Sequence, residues 1–171
     1  MQLLLVRHAK AFERDAAAWP DDLRRPLTAD GREEFERLAR RLGAAMTNVA
    51  YVFASPATRA WQTARLLHEH ARWPLPEKCD ALLPDEPAVV HRAERLFPKD
   101  PPGVVVWVGH EPNLSQTASW LLTADPARLS IDFKKGAAML LELDMDAANS
   151  PAGRARLHWL VTPRIARRRK R

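Results

Sequence analysis

The chain has 171 residues, 46% hydrophobic and 28% charged, which suits one well-packed core and excludes a disordered polypeptide. No stretch reaches the roughly 20 uninterrupted apolar residues of a membrane-spanning helix, so membrane insertion is not expected. A net charge of +6 invites a nucleic-acid partner, yet RIARRRKR at 164–171 holds six cations and no acid, leaving 21 basic and 21 acidic side chains in residues 1–163. The expected organisation is a single domain over 1–163 with a basic tail over 164–171. Such a tail can touch nucleic acid or an anionic surface, but a solvated terminus is the commoner fate, so no nucleic-acid partner is expected apart from it. Cys79 is the single cysteine and the N-terminus carries no secretory pattern, which together favour a cytoplasmic location.

In chain order, LLLV (3–6) reads as a buried strand. TADGREEFERLARRLGAAM (28–46) reads as a helix with Phe35, Leu38, Leu42 and Met46 on one face and Thr28 as its cap. VAYVFA (49–54) is a second strand, and SPATRAWQTARLLHEHA after it a helix that Ser55 caps and Pro56 opens. An edge strand near 77–80, a helix from about Pro87 and the strand VVVWV (104–108) come next. EPNLSQTASWLL gives another helix, and AAMLLELD and ARLHWLV give two closing strands. Strands alternating with helices predict an α/β domain with a mostly parallel sheet.

The chemistry lies just beyond the end of each buried strand. The first ends on Arg7 and His8, the second leads through Ser55 and Pro56 to Arg59, and the third runs into Gly109 and His110. The carboxyl ends of parallel strands share one crevice, so two arginines and two histidines converge there. An anion relieves that cluster, and phosphate fits because guanidinium forks match phosphoryl oxygens two at a time. The helices starting near Pro56 and Pro112 would add backbone N–H groups and dipole ends. A metal is not expected, because two arginines repel a divalent cation and no thiolate or carboxylate set accompanies the histidines. His68, His70, His91 and His158 sit at no such strand end and read as surface or satisfied core.

LLLVRHAKA resembles the first signature of the histidine phosphatase (phosphoglycerate mutase-like) superfamily. FASPATRAWQTA is similar to its second, and VVVWVGHEPNLS to its third, a strand ending in Gly-His. The match runs in order over nearly the whole chain. RHA in place of RHG, RRPLTADGREE and the pairing of GHEPNLS with FKKGAAMLLEL make the chain most similar to SixA-type phosphohistidine phosphatases. The resemblance implies a three-layer α/β/α fold, no cofactor and a covalent phosphohistidine intermediate. In it His8 is the nucleophile, and Arg7, Arg59 and His110 hold the phosphoryl oxygens. It also places Arg25 near the phosphate, where the bland alternative is a loop arginine facing solvent.

A proton donor is harder to assign. The resemblance points to the segment LLPDEP, where Asp85 and Glu86 are candidates, although both also suit a helix start before Pro87. Glu111 can cap the helix after His110 or reach the pocket. Lys134 and Lys135 can line the entrance or stand on the surface. The expected partner is a phosphohistidine-bearing protein, such as a histidine-containing phosphotransfer protein, or a small phosphorylated substrate. The alternatives are a phosphatase for a small phosphomonoester or phosphoramidate, and a non-catalytic phosphate- or RNA-binding module.

Overall fold

Leu3, Leu4, Leu5 and Val6 have no exposed surface. An unbroken apolar run of this kind forms a strand covered on both faces, whereas an alternating pattern would leave one face wet. In the computed structural model, which describes residues 1–84, 101–144 and 150–164, this run is β1 (Gln2–Arg7) at the middle of a six-stranded sheet. The other strands are β2 (Val49–Ala54), β3 (Glu77–Lys78), β4 (Val104–Gly109), β5 (Ala138–Leu143) and β6 (Ala155–Val161). Their order is β3-β2-β4-β1-β5-β6. β3, β2, β4 and β1 run parallel; on the far side of β1, β5 pairs antiparallel with β1 and β6 antiparallel with β5.

The two faces of the sheet bury separate clusters. Leu4, Val6, Val52, Val106 and Leu140 pack with Phe35, Leu38 and Leu42 of α1 (Ala29–Ala45) and Leu66 and Leu67 of α2 (Thr58–Ala71). Leu3, Leu5, Val105, Trp107 and Met139 face Leu114, Ala118 and Leu121 of α3 (Asn113–Thr123), together with Phe133. The result is the expected α/β/α layering, with its two cores alternating residue by residue along β1 and β4.

Local signals account for most boundaries. Thr28 caps α1 by accepting from the Gly31 N–H. Ser55 does not cap α2: that helix begins at Thr58, with Ala57 in the cap position and no side-chain cap bond. The Ser55 hydroxyl is engaged elsewhere. The edge strand is only Glu77–Lys78, because the chain turns into a 3₁₀ segment at Asp80–Leu82. A second 3₁₀ turn, Asp22–Arg24, lies in the long connection between β1 and α1 and was not expected. The predicted helix from Pro87 and the tail at 165–171 lie outside the described residues.

Register places the functional ends together. Arg7 lies opposite Gly109 and Ala54 opposite Val108, so β1, β2 and β4 finish at one level. The chain leaving β1 is then held by α1, whose Thr28 N–H donates to the Lys10 carbonyl. A Cβ on Gly31 would collide with that same carbonyl. Alanine for glycine inside a helix ordinarily stabilises by about 1 kcal/mol; here the sign reverses. Gly31→Ala should destabilise the fold by about 1–3 kcal/mol, as overpacking does, measured as a lower denaturation midpoint; a raised midpoint would show that the contact is dispensable.

Candidate active site

His8 continues β1 by one residue. Its N–H donates to the Gly109 carbonyl (3.0 Å) and its own carbonyl accepts from the Gly136 N–H (2.9 Å), so the backbone is gripped on both sides. The imidazole is buried, and its Nδ1 lies 2.7 Å from the Ala9 carbonyl. A carbonyl only accepts, so Nδ1 carries the proton and Nε2 keeps a free lone pair. The His110 ring stands 5.1 Å away between centroids, tilted by 52°.

α2 supplies the second wall. Arg59 is only 2% exposed; its Nη1 donates to the Asp22 backbone carbonyl (2.8 Å) and its Nη2 lies 3.2 Å from the Asp22 carboxylate. One turn later, Thr63 accepts from the Ala9 N–H (3.0 Å) and donates to the Arg59 carbonyl (2.7 Å), tying the β1 exit to α2. Gln62 accepts from the Leu27 N–H at 2.8 Å. Arg7 donates from Nη1 to the Phe133 carbonyl at 2.7 Å. Arg7, His8, Arg59 and His110 border a pocket of about 220 Å³ at the carboxyl ends of the parallel strands.

The structure places Arg7, His8, Arg59 and His110 in this pocket together with Arg25. Arg25 is buried, not solvent-facing, and its Nε donates to the Asp22 carboxylate at 2.8 Å. Lys135 also lines the pocket and pairs with Glu13 at 3.8 Å, whereas Lys134 pairs with Asp132. Glu111 does both things open to it: it borders the pocket and accepts from the Ser115 N–H and hydroxyl in the first turn of α3. Asp85 and Glu86 lie outside the described residues, as does His91. His68, His70 and His158 stand away from the pocket, against the Trp73 carbonyl, Glu36 and Glu142 respectively.

Three contributors escaped sequence reasoning. Asp22 bridges Arg25 and Arg59 from a 3₁₀ turn that no periodicity announces. Ser55 meets His110, and Thr63 ties the β1 exit to α2; both lie inside the quoted SPATRAWQTA motif, which names positions but not partners.

Electrostatics follow from burial. Desolvation pushes His8 down to about 3, outweighing the Ala9 hydrogen bond, with the charges of Arg59, Arg7 and Arg25 adding to the fall. Desolvation likewise puts His110 far below its ordinary value, helped by His8, Arg59 and Arg7. The hydrogen bond from Arg25 holds Asp22 below the usual carboxylate range, whereas burial raises Glu111. Arginine stays charged at any relevant pH. The pocket thus sets a neutral imidazole with a free lone pair beside fixed cations, an arrangement that can hold a phosphate-sized anion against a nucleophile.

Residues 3–83 match the sequence model of the histidine phosphatase superfamily (branch 1). An uncharacterized protein of Picosynechococcus sp. is 32% identical over 120 residues, which span 69% of this chain and 71% of that protein. Among solved structures, the protein histidine phosphatase SixA in complex with tungstate superposes with a TM-score of 0.80 at 24% identity, covering 98% of this chain and 100% of that one. A protein of Agrobacterium tumefaciens assigned as the phosphohistidine phosphatase SixA gives 0.73 at 21% identity, over 95% and 97% of the two chains. Both structural likenesses carry the fold. Among the described residues, no helix is long and apolar enough to cross a membrane.

The depressed histidines make stability depend on pH. Both fold with values below the unfolded value of about 6.5, so the unfolded chain takes up protons first as the pH falls. Their contribution is complete above that value and is lost on the way down toward about 3, where His8 titrates in the fold. Between about pH 6 and pH 4, wild type should lose roughly 1.4 kcal/mol per pH unit more than His8→Gln in urea denaturation. Parallel slopes would mean that His8 is protonated in the folded protein.

Proposed function

The chain belongs to the histidine phosphatase superfamily, and from that premise we propose that it is a metal-independent phosphohistidine phosphatase acting on a phosphohistidine-bearing protein. The observation that carries this reading is the hydrogen bond from His8 Nδ1 to the Ala9 carbonyl, which leaves Nε2 as the basic nitrogen of an imidazole in a pocket lined by arginines.

In the proposed reaction, His8 Nε2 attacks phosphorus in line. The new N–P bond forms as the bond to the leaving nitrogen breaks, and the departing imidazole takes its electron pair and a proton from water. A second water then attacks the phosphorylated His8, its surplus proton neutralising the hydroxide left by the first, so that inorganic phosphate is released and the neutral ring is restored. Arg7, Arg59 and His110 bind the equatorial oxygens and stabilise charge as it spreads over them; Arg25 adds a further cation at the rim. Catalysis of this kind is mostly positioning and electrostatics, which is what buried, hydrogen-bonded arginines supply.

One feature favours a protein-borne substrate. The pocket of about 220 Å³ falls below the roughly 300–1,000 Å³ of sites that enclose a whole small molecule. It suits a phosphoryl group and the tip of the side chain that carries it. A phosphoramidate also makes modest demands on a proton donor, since imidazole is a better leaving group than an alkoxide. Metal independence belongs to this proposal on charge grounds, since the arginines beside the paired histidines would repel a divalent cation. A lone free cysteine accords with a cytoplasmic setting. Glu111, raised by burial at the pocket wall, favours a second reading in which a phosphomonoester is cleaved with an acid's help.

Wild type, His8→Ala and Arg59→Ala, incubated with a phosphohistidine protein, a small phosphoramidate and sugar phosphates, separate these readings. Wild type should hydrolyse the first two, with and without EDTA. His8→Ala should be inactive, and Arg59→Ala should lose roughly 10²–10³-fold in kcat, as when one oxyanion donor is removed. Equal activity of His8→Ala and wild type would overturn the nucleophile, and cleavage of sugar phosphates alone would favour the phosphomonoester reading.

A further inference from the structure

Ser55 is the first residue after β2, and its side chain is fully buried. Its N–H donates to the Val108 carbonyl (2.9 Å), so pairing with β4 extends past the strand end and fixes the residue beside the Gly109–His110 corner. The hydroxyl oxygen lies 2.9 Å from His110 Nε2. Its other neighbour is the Ala57 N–H, at 3.3 Å.

A serine hydroxyl has one proton to give and two lone pairs. The Ala57 N–H can only donate, so it takes a lone pair. Among the hydrogen bonds of the described residues, the acceptor for the hydroxyl proton is His110 Nε2. An imidazole that accepts at Nε2 and is neutral must carry its proton at Nδ1. His110 Nδ1 is buried and has no partner among the described residues. Leaving such a donor unpaired costs about 1–3 kcal/mol, so an unpaired group here needs a reason. The ring borders the pocket, 5.1 Å from the His8 ring between centroids, so an anion bound in that pocket is the ligand the unpaired N–H calls for.

We propose that Ser55 is a positioning residue: by donating to His110 Nε2 it fixes the Nδ1–H tautomer and so reserves the single N–H of this imidazole for a phosphoryl oxygen. Without the hydroxyl the ring can place its proton on Nε2, and Nδ1 then turns a lone pair toward an anion. Attraction becomes repulsion at the site where negative charge develops. The kinetic consequence rests on the proposed phosphatase reading; the tautomer is a property of the resting protein.

The test is a multiple-bond ¹H–¹⁵N imidazole spectrum of the full wild-type chain, with His110 assigned by its loss in His110→Asn. The expected result is a protonated Nδ1 and an unprotonated Nε2 in wild type, with the Nδ1–H resonance displaced on adding inorganic phosphate. Ser55→Ala, shown to be folded by its thermal transition, should populate the Nε2–H form and lose roughly 10- to 100-fold in kcat on a small phosphoramidate, the range seen when an outer partner orienting a working imidazole is removed. Wild-type His110 protonated at Nε2, or a Ser55→Ala variant with unchanged tautomer and kcat, would overturn the inference. A wild type that shows the Nδ1–H form and responds to phosphate but turns over no phosphorylated substrate would overturn the phosphatase reading alone.

Discussion

The parallel pairing of β1 with β4, Arg7 opposite Gly109, is the constraint on which the rest of the site depends. It brings two chain exits that are about a hundred residues apart in sequence to one level, and the His8 N–H bond to the Gly109 carbonyl carries the ladder one residue beyond the strand. His8 and His110 therefore face each other because two backbones are in register, and neither side chain has to find the other. β2 joins the same level through the Ser55 N–H bond to Val108, and Arg59 follows on the first turn of α2. A ladder built from residues with no exposed surface is a stiff support, which suits groups that must be held in place as charge develops.

Gathering cations in such a place has a cost that the fold meets locally. Two unit charges about 4 Å apart at a protein-like dielectric interact by about 4 kcal/mol, enough to disperse an uncompensated cluster. Asp22 offsets part of this by lying against both Arg25 and Arg59, while backbone carbonyls of Phe133, Phe12 and Asp22 itself take further guanidinium protons. The arginines are thus oriented before any anion arrives. The same positive surroundings, added to burial, keep His8 and His110 neutral, so the charge that would hold a phosphoryl group in the proposed reaction also preserves the lone pair that would attack it.

How much of this is legible in the sequence depends on range. β1, β2 and β4 can be read because each is an apolar run bounded by residues a strand interior excludes, and Thr28 can be read as a cap from its neighbours alone. The convergence of Arg7, His8, Arg59 and His110 needs one further premise, that parallel strands share a ligand-binding end. Ser55 reads as a helix cap and is not one, for an instructive reason: serine before proline is a good local cap signal, but the hydroxyl's acceptor is 55 residues away. Asp22 cannot be found at all, since its contacts with Arg25 and Arg59 depend on how a long connection folds back over α2. Arg25 becomes a pocket residue by the same folding, although nothing but family likeness sets it apart from Arg24.

The central claim is that His8 Nε2 accepts the phosphoryl group. It is tested most directly by mixing the wild-type chain with a phosphohistidine protein, quenching in alkali, where a phosphoramidate bond survives, and locating the transferred phosphate by peptide mass spectrometry. The account predicts an acid-labile phosphate on the peptide containing His8, absent when His8→Ala is treated in the same way. Phosphate on any other residue, or turnover with no covalent adduct at any quench time, would contradict it.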